Sequence, residues 1–367
     1  MRTLHRSPGM RPQLGRRSRW ISVSILLGTL ALTAWNSRVL QALSLSAQPN
    51  APAEAAERLV IVDDDVGMLQ AMVAREGVYR APWLRITDPD GGLEILYLLR
   101  EPTVRLLGIS CIMGCSTTDV CMASVHKLLE LTGRTDVPLL RGANAPQELG
   151  RPTDAARFII DAVMSHPGQV EIIATAPLTN IATALMLEPR LAANWKMLHL
   201  ATGEFWGALG KWSDGAKLSW WTGLYQDLNI NVDVAALEYV LQHAGSNMRI
   251  YPNEIMDEAF LTRADRSALQ QAGTPLSTWV ASETWLMGTL EGVVMKGFAL
   301  HGVIGAAVAI APELADPPRT FRIRLKNMGR HRFVFERGDD PNTIAYPVYT
   351  HLHDPLTIER RLVERCQ

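Results

Sequence analysis

Apolar runs and stretches of helical periodicity alternate along residues 58–200. Short apolar runs rich in β-branched residues predict strands at residues 59–62, 104–110, 137–140, 170–174 and 197–200. Apolar positions at helical spacing predict helices at residues 118–131, 154–165 and 178–187. This strand–helix order predicts a parallel sheet with helices on both faces. Ligands bind beyond the carboxyl ends of the strands in such sheets, so we expect functional residues just after the strands.

The C-terminal part of the chain follows a different pattern. Residues 320–325, 332–336 and 345–350 alternate in strand fashion, and a helical stretch follows at 355–364. We therefore predict a mostly parallel, open α/β sheet with a short antiparallel edge.

Residues 203–228 interrupt the alternation and predict a long loop. The segment is rich in aromatic residues, namely Phe205, Trp206, Trp212, Trp220, Trp221 and Tyr225. Aromatic side chains bury large areas and stack on flat ligands. They fit either ligand stacking, for which Trp206 is the candidate, or packing within the loop or against another subunit.

The N-terminal segment carries a targeting pattern. Residues 1–50 hold seven Arg and no Lys, Asp or Glu, and residues 21–35 are uncharged and apolar. Fifteen residues suit a signal-peptide core, whereas a membrane-spanning helix needs roughly 20. We predict a signal peptide or an uncleaved membrane anchor at 1–47, a linker at 48–57 and an exported domain, periplasmic or extracellular, at 58–367.

Composition and charge narrow the class of protein. The 367 residues are 47% hydrophobic and 20% charged, which excludes a disordered chain. The net charge is −1, and removing the seven N-terminal Arg leaves −8 for the remainder. A mildly acidic domain gives no indication of nucleic-acid binding. The four Cys residues, at 111, 115, 121 and 366, predict buried or free thiols, with a 111–115 or 115–121 disulfide as the alternative.

Adjacent carboxylates follow the first predicted strand. Asp63, Asp64 and Asp65 stand together, and their mutual repulsion requires solvent, N–H donors, raised pKa values or a cation such as calcium. The alternative is an exposed acidic turn whose Asp caps the next helix. A second acidic turn contains Asp88 and Asp90, and it resembles either a helix cap or part of a calcium loop.

The segment at 58–67, RLVIVDDDVG, resembles the opening motif of the inosine–uridine-preferring nucleoside hydrolase family. That motif is a strand followed by Asp-x-Asp-Pro-Gly-x-Asp-Asp and an apolar helix. Asp63 and Asp65 take the first two aspartate positions, and Val66 replaces the proline. After an insertion at 68–89, the second half continues at residues 90–102, with Asp90 and Gly91 at the paired aspartates.

Further segments resemble the family in order along the chain. They are residues 106–114, 174–182, 227–233 and 300–303. The last of these keeps the family's histidine as His301, but Gly302 stands where the family has aspartate. Cys115 replaces a usual asparagine. The resemblance covers most of residues 58–365 and implies the family's α/β fold.

The resemblance also implies a reaction, the hydrolysis of the N-glycosidic bond of ribonucleosides to ribose and free base. The transition state of such a cleavage resembles an oxocarbenium ion. Asp65 would accept the proton of the attacking water, and His301 would protonate the departing base. The substrate-binding residues implied or proposed are Asp90, Asn229, Asp227 and Trp206.

The implied cofactor is calcium, held by Asp63, Asp65, Asp90 and the backbone carbonyl of Thr175. Two carboxylate ligands of the family are missing here, because Gly91 and Gly302 stand in their places. Asp63, Asp64 and Asp88 are candidate substitutes if the insertion folds back over the site.

Two hypotheses therefore remain open. The chain is either a nucleoside hydrolase with an altered metal site, or a non-catalytic member that binds a nucleoside, a sugar or a protein partner. In the second case, restoring carboxylates through Gly91→Asp with Gly302→Asp is predicted to create metal binding. The expected partners are a small-molecule nucleoside, the membrane if the anchor is retained, and a second copy of the chain, since family members are commonly oligomers.

Overall fold

A computed structural model describes residues 57–68, 88–205, 227–293, 295–329, 333–338, 340–341 and 343–367. The predicted signal or anchor at 1–47, almost all of the linker, most of the insertion at 68–89 and the aromatic residues from Trp206 to Tyr225 lie outside the described residues.

Eleven strands are described, nine of them in one sheet. In chain order they are β1 (Arg58–Asp64), β2 (Val104–Cys111), β3 (Leu139–Arg141), β4 (Val170–Ala174), β5 (Met197–Ala201), β6 (Met248–Tyr251), β7 (Phe260–Leu261), β8 (Phe298–Ala299), β9 (Arg319–Asn327), β10 (Phe333–Arg337) and β11 (Ala345–Val348). The large sheet has the order β10-β9-β11-β6-β5-β4-β1-β2-β3, and β7 pairs with β8 separately.

The strands from β3 to β11 across the large sheet run parallel, and β9 and β10 form the antiparallel edge. The predicted α/β fold class is confirmed. Strand β11 differs from the expectation for the edge, because it runs parallel to β6 on one side and antiparallel to β9 on the other. The strand order reverses between β1 and β4, and such a switch point opens a crevice at the carboxyl ends of the two strands.

Helices cover both faces of the sheet. They are α1 (Asp90–Leu99), α2 (Thr118–Thr132), α3 (Asp154–Ser165), α4 (Thr179–Leu187), α5 (Leu191–Asn194), α6 (Leu228–Val232), α7 (Val234–His243), α8 (Asn253–Met256), α9 (Arg263–Ala272), α10 (Pro275–Glu283), α11 (Trp285–Glu291), α12 (His301–Ile310) and α13 (Pro355–Arg365). Short 3₁₀ turns add Pro146–Glu148 and Pro312–Leu314.

Strand β1 separates two hydrophobic cores. Val60 and Val62 point to the core under α1, α2 and α12, whereas Leu59 and Ile61 point to the core under α3, α4 and α7. This alternation follows from the two-residue period of a strand. Helix α12 is buried on nearly every side because its sequence is almost wholly apolar, and it packs against α1. The first residues of both helices thereby come together at the end of β1.

Two further expectations concern the membrane and the cysteines. Within the described residues, no helix has the length and hydropathy to cross a bilayer. The four cysteines are free thiols, three buried and Cys115 half-buried, so neither alternative disulfide is formed.

Candidate functional site

The carboxyl ends of β1 and β4 open into a cleft with about 460 Å³ of empty space. Six of the predicted site residues line it: Asp65, Asp90, Thr175, Asp227, Asn229 and His301. Asp63 does not line the cleft, and Trp206 lies outside the described residues. The fold therefore gathers residues from β1, β4 and the starts of α1, α6 and α12 at one place.

Asp65 directly follows β1 and is buried at the wall of the cleft. Its Oδ2 accepts a hydrogen bond from the backbone N–H of Cys115. Burial raises the pKa of Asp65 to about 7, because the Cys115 donor offsets only part of the desolvation and the nearby charge of Asp90 adds to it. A carboxylate with a pKa near 7 suits a general base at neutral pH.

Asp90 begins α1 and reaches across to the first turn of α12. Its Oδ2 accepts a hydrogen bond of 2.9 Å from the backbone N–H of Gly302, and its own N–H donates to Asp88 Oδ1 at 3.2 Å. Asp88, Asp90 and His301 each offer a ligand atom, and these atoms lie within 4.8 Å of one another. Burial, followed by the charges of Asp90 and Glu291, raises the pKa of Asp88 well above its usual range.

His301 is the first residue of α12, and its Nε2 lies 2.9 Å from Asp257 Oδ1. Burial alone would lower the pKa of His301, but Asp257, with Asp90 and Asp88 beyond it, raises the pKa to about 10. The imidazole therefore carries a proton at neutral pH. A protonated imidazole is a poor metal ligand, so we expect carboxylates rather than His301 to serve a cation here.

Asn229 connects two strand ends. Its Nδ2 donates to the carbonyl oxygens of Thr175 at 3.0 Å and Ala201 at 3.2 Å. Both amide hydrogens are then used within the protein, which leaves the side-chain oxygen of Asn229 as the group able to accept a ligand hydroxyl. The Thr175 carbonyl has a second lone pair for a further partner.

Two predicted site residues use their carboxylates in hydrogen bonds within the protein. Asp227 caps α6, since its carboxylate accepts from the N–H groups of Ile230 at 2.7 Å and Gly203 at 2.9 Å. Asp63 lies beneath the cleft, and its Oδ1 accepts from the Ser110 hydroxyl and from Asn180 Nδ2. Burial raises the pKa of Asp63 to about 6, because it outweighs these two hydrogen bonds, which lower the pKa.

One carboxylate beneath the cleft was missed from the sequence, that of Glu94. It lies in the second turn of α1 and is fully buried, as Asp64 nearly is. The signal was visible, because Glu94 is the one charged residue within the apolar run at 93–99. Burial raises the pKa of both Asp64 and Glu94 well above the usual range. The charges of Asp65 and Asp90 add to the rise for Asp64, and the charge of Asp64 adds to the rise for Glu94.

The donor set fits a calcium ion. Calcium prefers carboxylate and carbonyl oxygens, which the cleft and its floor supply. Asp63 and Asp64 each have one buried oxygen without a well-formed hydrogen bond among the described residues, and Glu94 has two. The described residues lining the cleft include no Lys or Arg. Buried carboxylates in such surroundings must bind protons or a cation.

Comparison with known proteins agrees with this geometry. A sequence profile of the inosine-uridine preferring nucleoside hydrolase family matches residues 86–355. The chain is 29% identical to the probable uridine nucleosidase 1 of Oryza sativa over 165 residues, 37% of this chain and only about half (51%) of the rice protein. It is 27% identical to the pyrimidine-specific ribonucleoside hydrolase RihA of Salmonella newport over 298 residues, 71% of this chain and 91% of that protein.

Solved structures carry the same fold. The plant nucleoside hydrolase PpNRh1 superposes with a TM-score of 0.66 at 20% identity, covering 84% of this chain and 98% of that protein. The profile match begins at residue 86, near the end of the insertion, so β1 precedes it. The structural likeness covers 84% of the chain and extends the comparison beyond the profile. Because the profile covers well over half of the residues, the chain belongs to the inosine-uridine preferring nucleoside hydrolase family.

Proposed function

We propose that this protein hydrolyses the N-glycosidic bond of ribonucleosides, giving ribose and a free base. The observation that carries the proposal is the convergence of Asp65, Asn229 and His301 on one cleft at the switch point of the sheet. The rice relative is named a probable uridine nucleosidase, and the Salmonella relative is named a pyrimidine-specific ribonucleoside hydrolase. Uridine is therefore the first substrate to test.

Asp65 acts as the base. A water oxygen bonds to the anomeric carbon of the ribose as the bond from that carbon to the base nitrogen breaks. The water proton passes to Asp65, whose raised pKa makes proton acceptance favourable near neutral pH. The breaking bond leaves its electron pair on the departing base.

His301 supplies a proton to that base. Its imidazolium pairs with Asp257 at the N-terminus of α12. His301 lines the cleft together with Asp88 and Asp90. Asn229 and Asp90 position the ribose, with the Asn229 side-chain oxygen accepting a hydroxyl proton. These contacts orient the substrate and reduce the entropic cost of reaching the transition state.

Calcium, where bound, stabilises developing negative charge and lowers the pKa of a water molecule. The protein residues that would hold it are the carboxylates of Asp65 and Asp90 and the carbonyl of Thr175, all lining the cleft. The loss of carboxylates at Gly91 and Gly302 favours a second candidate function, a member that binds nucleosides without turnover.

The test is turnover by the purified full-length chain with uridine and inosine, in the presence and absence of calcium, with ribose and free base measured separately. Release of both products in equal amounts supports hydrolysis. Stabilisation of the folded chain by a nucleoside without product release would instead support the binding function. If the chain shows no turnover and no stabilisation by a nucleoside, both candidate functions are contradicted.

A further inference from the structure

Two glycines at the site lie in space that other carboxylates already fill. A Cβ built on Gly91 would overlap both carboxylate oxygens of Asp64, and a Cβ built on Gly302 would overlap Glu94 Oε2. The Cβ on Gly302 would also lie 3.5 Å from Asp90 Oδ2, which faces the cleft. These are the two positions where the family motif has aspartate. Carboxylates therefore still occupy the space beside both glycines, but they belong to Asp64 and Glu94.

Helix α1 directs the Glu94 side chain towards Gly302. Glu94 follows Asp90 by four residues on α1, and residues at that spacing share a helix face. Helix α12 closes over that face with Gly302 in its first turn. Glu94 is 0% exposed, and neither of its oxygens has a well-formed hydrogen bond among the described residues.

Asp64 approaches from the other side, as the last residue of β1. Its Oδ1 accepts from the N–H of Asp65 at 2.7 Å, while its buried Oδ2 has no described hydrogen-bond partner. The Thr175 hydroxyl is near both Asp64 and Glu94, but it forms a well-shaped hydrogen bond with neither. Two buried acidic side chains therefore approach each other beneath the cleft, each with an oxygen that has no described hydrogen-bond partner.

Protonation alone does not resolve this arrangement. A neutral Glu94 would still keep a buried carbonyl oxygen that receives no described hydrogen bond, and a buried unsatisfied polar group is destabilising. A divalent cation removes the repulsion and supplies a partner for the oxygens at once. The oxygen ligands available match calcium better than softer metals.

We infer that Asp64 and Glu94 complete a calcium site in this chain, taking the places of carboxylates at Gly91 and Gly302. The inference rests on the proposed function, because the same ion would serve the same cleft. It replaces the earlier expectation that restoring aspartates at both glycines would create metal binding. Adding Asp at 91 or 302 alone would place it against a side chain that already occupies the space.

The first experiment is calorimetric titration of calcium into the full-length chain after treatment with a chelator. Glu94→Gln and Asp64→Asn keep the side-chain shape and remove the charge, and each is expected to weaken calcium binding by about tenfold or more. Glu254→Gln is the matched control, because Glu254 is half-buried and has one buried, unpartnered carboxylate oxygen away from both glycines. It is expected to leave the calcium affinity unchanged. Circular dichroism checks that each variant is folded.

The second experiment exchanges the carboxylate between positions. Glu94→Ala should lose calcium affinity, and Glu94→Ala with Gly302→Asp should recover it, because the added Asp then enters the vacated space. Gly302→Asp alone should be poorly folded or bind calcium weakly, owing to the overlap with Glu94. Recovery in the double variant cannot come from a merely structural role of Glu94.

The outcomes separate this inference from the proposed function. Calcium affinity that is unchanged in both Glu94→Gln and Asp64→Asn overturns the inference, whatever the turnover. Calcium binding that depends on both residues, without hydrolysis of any nucleoside, supports the inference and overturns the proposed reaction. No binding of calcium by the unchanged chain up to millimolar concentrations overturns the inference directly.

Discussion

Buried carboxylates lie at both ends of the central parallel strands, and their surroundings differ. At the starting ends, Glu171 accepts hydrogen bonds from Arg58 at 2.5 and 3.0 Å, from Lys196 at 2.9 Å and from His199 at 3.1 Å. At the carboxyl ends, Asp64 and Glu94 retain oxygens without described partners. The first group is a saturated network, and the second is not.

The pKa values diverge accordingly. Burial would raise the pKa of Glu171, but the hydrogen bonds from His199, Arg58 and Lys196 outweigh it and lower the pKa to about 2. At the cleft, burial prevails and raises the pKa of Asp65 to about 7. A buried charge that is fully paired serves the fold, whereas unpaired charge at a cleft marks a place that is completed by a ligand.

The largest expected effect is the loss of turnover on removing the base. Asp65→Asn should lower kcat for uridine on the order of 10²–10⁴-fold, because an amide cannot accept the proton. The chain should remain folded, since the amide oxygen can still accept the Cys115 N–H. Steady-state kinetics alongside circular dichroism make the measurement. Turnover close to that of the unchanged chain would exclude Asp65 as the base.

Breaking the saturated network should instead destabilise the fold. Glu171→Gln leaves Arg58 and Lys196 without their carboxylate and is expected to cost about 3 kcal/mol in the free energy of unfolding. Glu336→Gln, which removes surface ion pairs with Arg324 and Lys326, is the control and should change little. Urea titrations compare the two. Equal stabilities would mean that the Glu171 network adds nothing to the fold.

Calcium should stabilise the fold only by binding at the cleft. At a calcium concentration of 100 times Kd, the free energy of unfolding should rise by about 2.7 kcal/mol. A Kd weakened tenfold in Glu94→Gln should reduce the gain to about 1.4 kcal/mol or less at the same calcium concentration, whereas the gain should persist in Glu254→Gln. Thermal unfolding with and without calcium measures it. A gain of the same size in Glu94→Gln would place the ion elsewhere.

The smallest expected effect is in the acid range. The folded-state pKa of Glu171 is below its ordinary 4.5, so its contribution to stability is present above pH 4.5 and is lost as pH falls towards 2. The stability difference between the unchanged chain and Glu171→Gln should therefore shrink as the pH is lowered from 5 to 3. Urea titrations at both pH values measure it. A difference that grows on acidification would contradict the lowered pKa.

Much of the fold could be predicted from periodicity. The bounds of α3 and β4 match the predicted ranges because the apolar pattern and the Thr153 cap define them locally. The direction of β11 could not be predicted, since alternation of side chains is the same in parallel and antiparallel strands. The helices between β6 and β9 carried no prediction, although α12 supplies His301 to the cleft.

The site was only partly predictable for a similar reason. Asp65 and Thr175 directly follow strands, and Asn229 lies at the start of a helix. These positions indicated that the three residues would meet at the carboxyl ends of the strands, where they line the cleft. The filling of the space beside Gly302 by Glu94 depends on how α1 packs against α12, which are some 200 residues apart in sequence. Likewise, only the structure identifies the Asp227 carboxylate as a helix cap.

The crowding at Gly302 also has an evolutionary consequence. A chain that carries Glu94 cannot gain aspartate at 302 in one step, because the two side chains would compete for one space. Losing Glu94 first would pass through an intermediate without either carboxylate. The two positions are therefore epistatic, and the order of substitutions decides which lineages are accessible. Among relatives that share this fold, acidic residues at the positions equivalent to 94 and 302 should exclude one another.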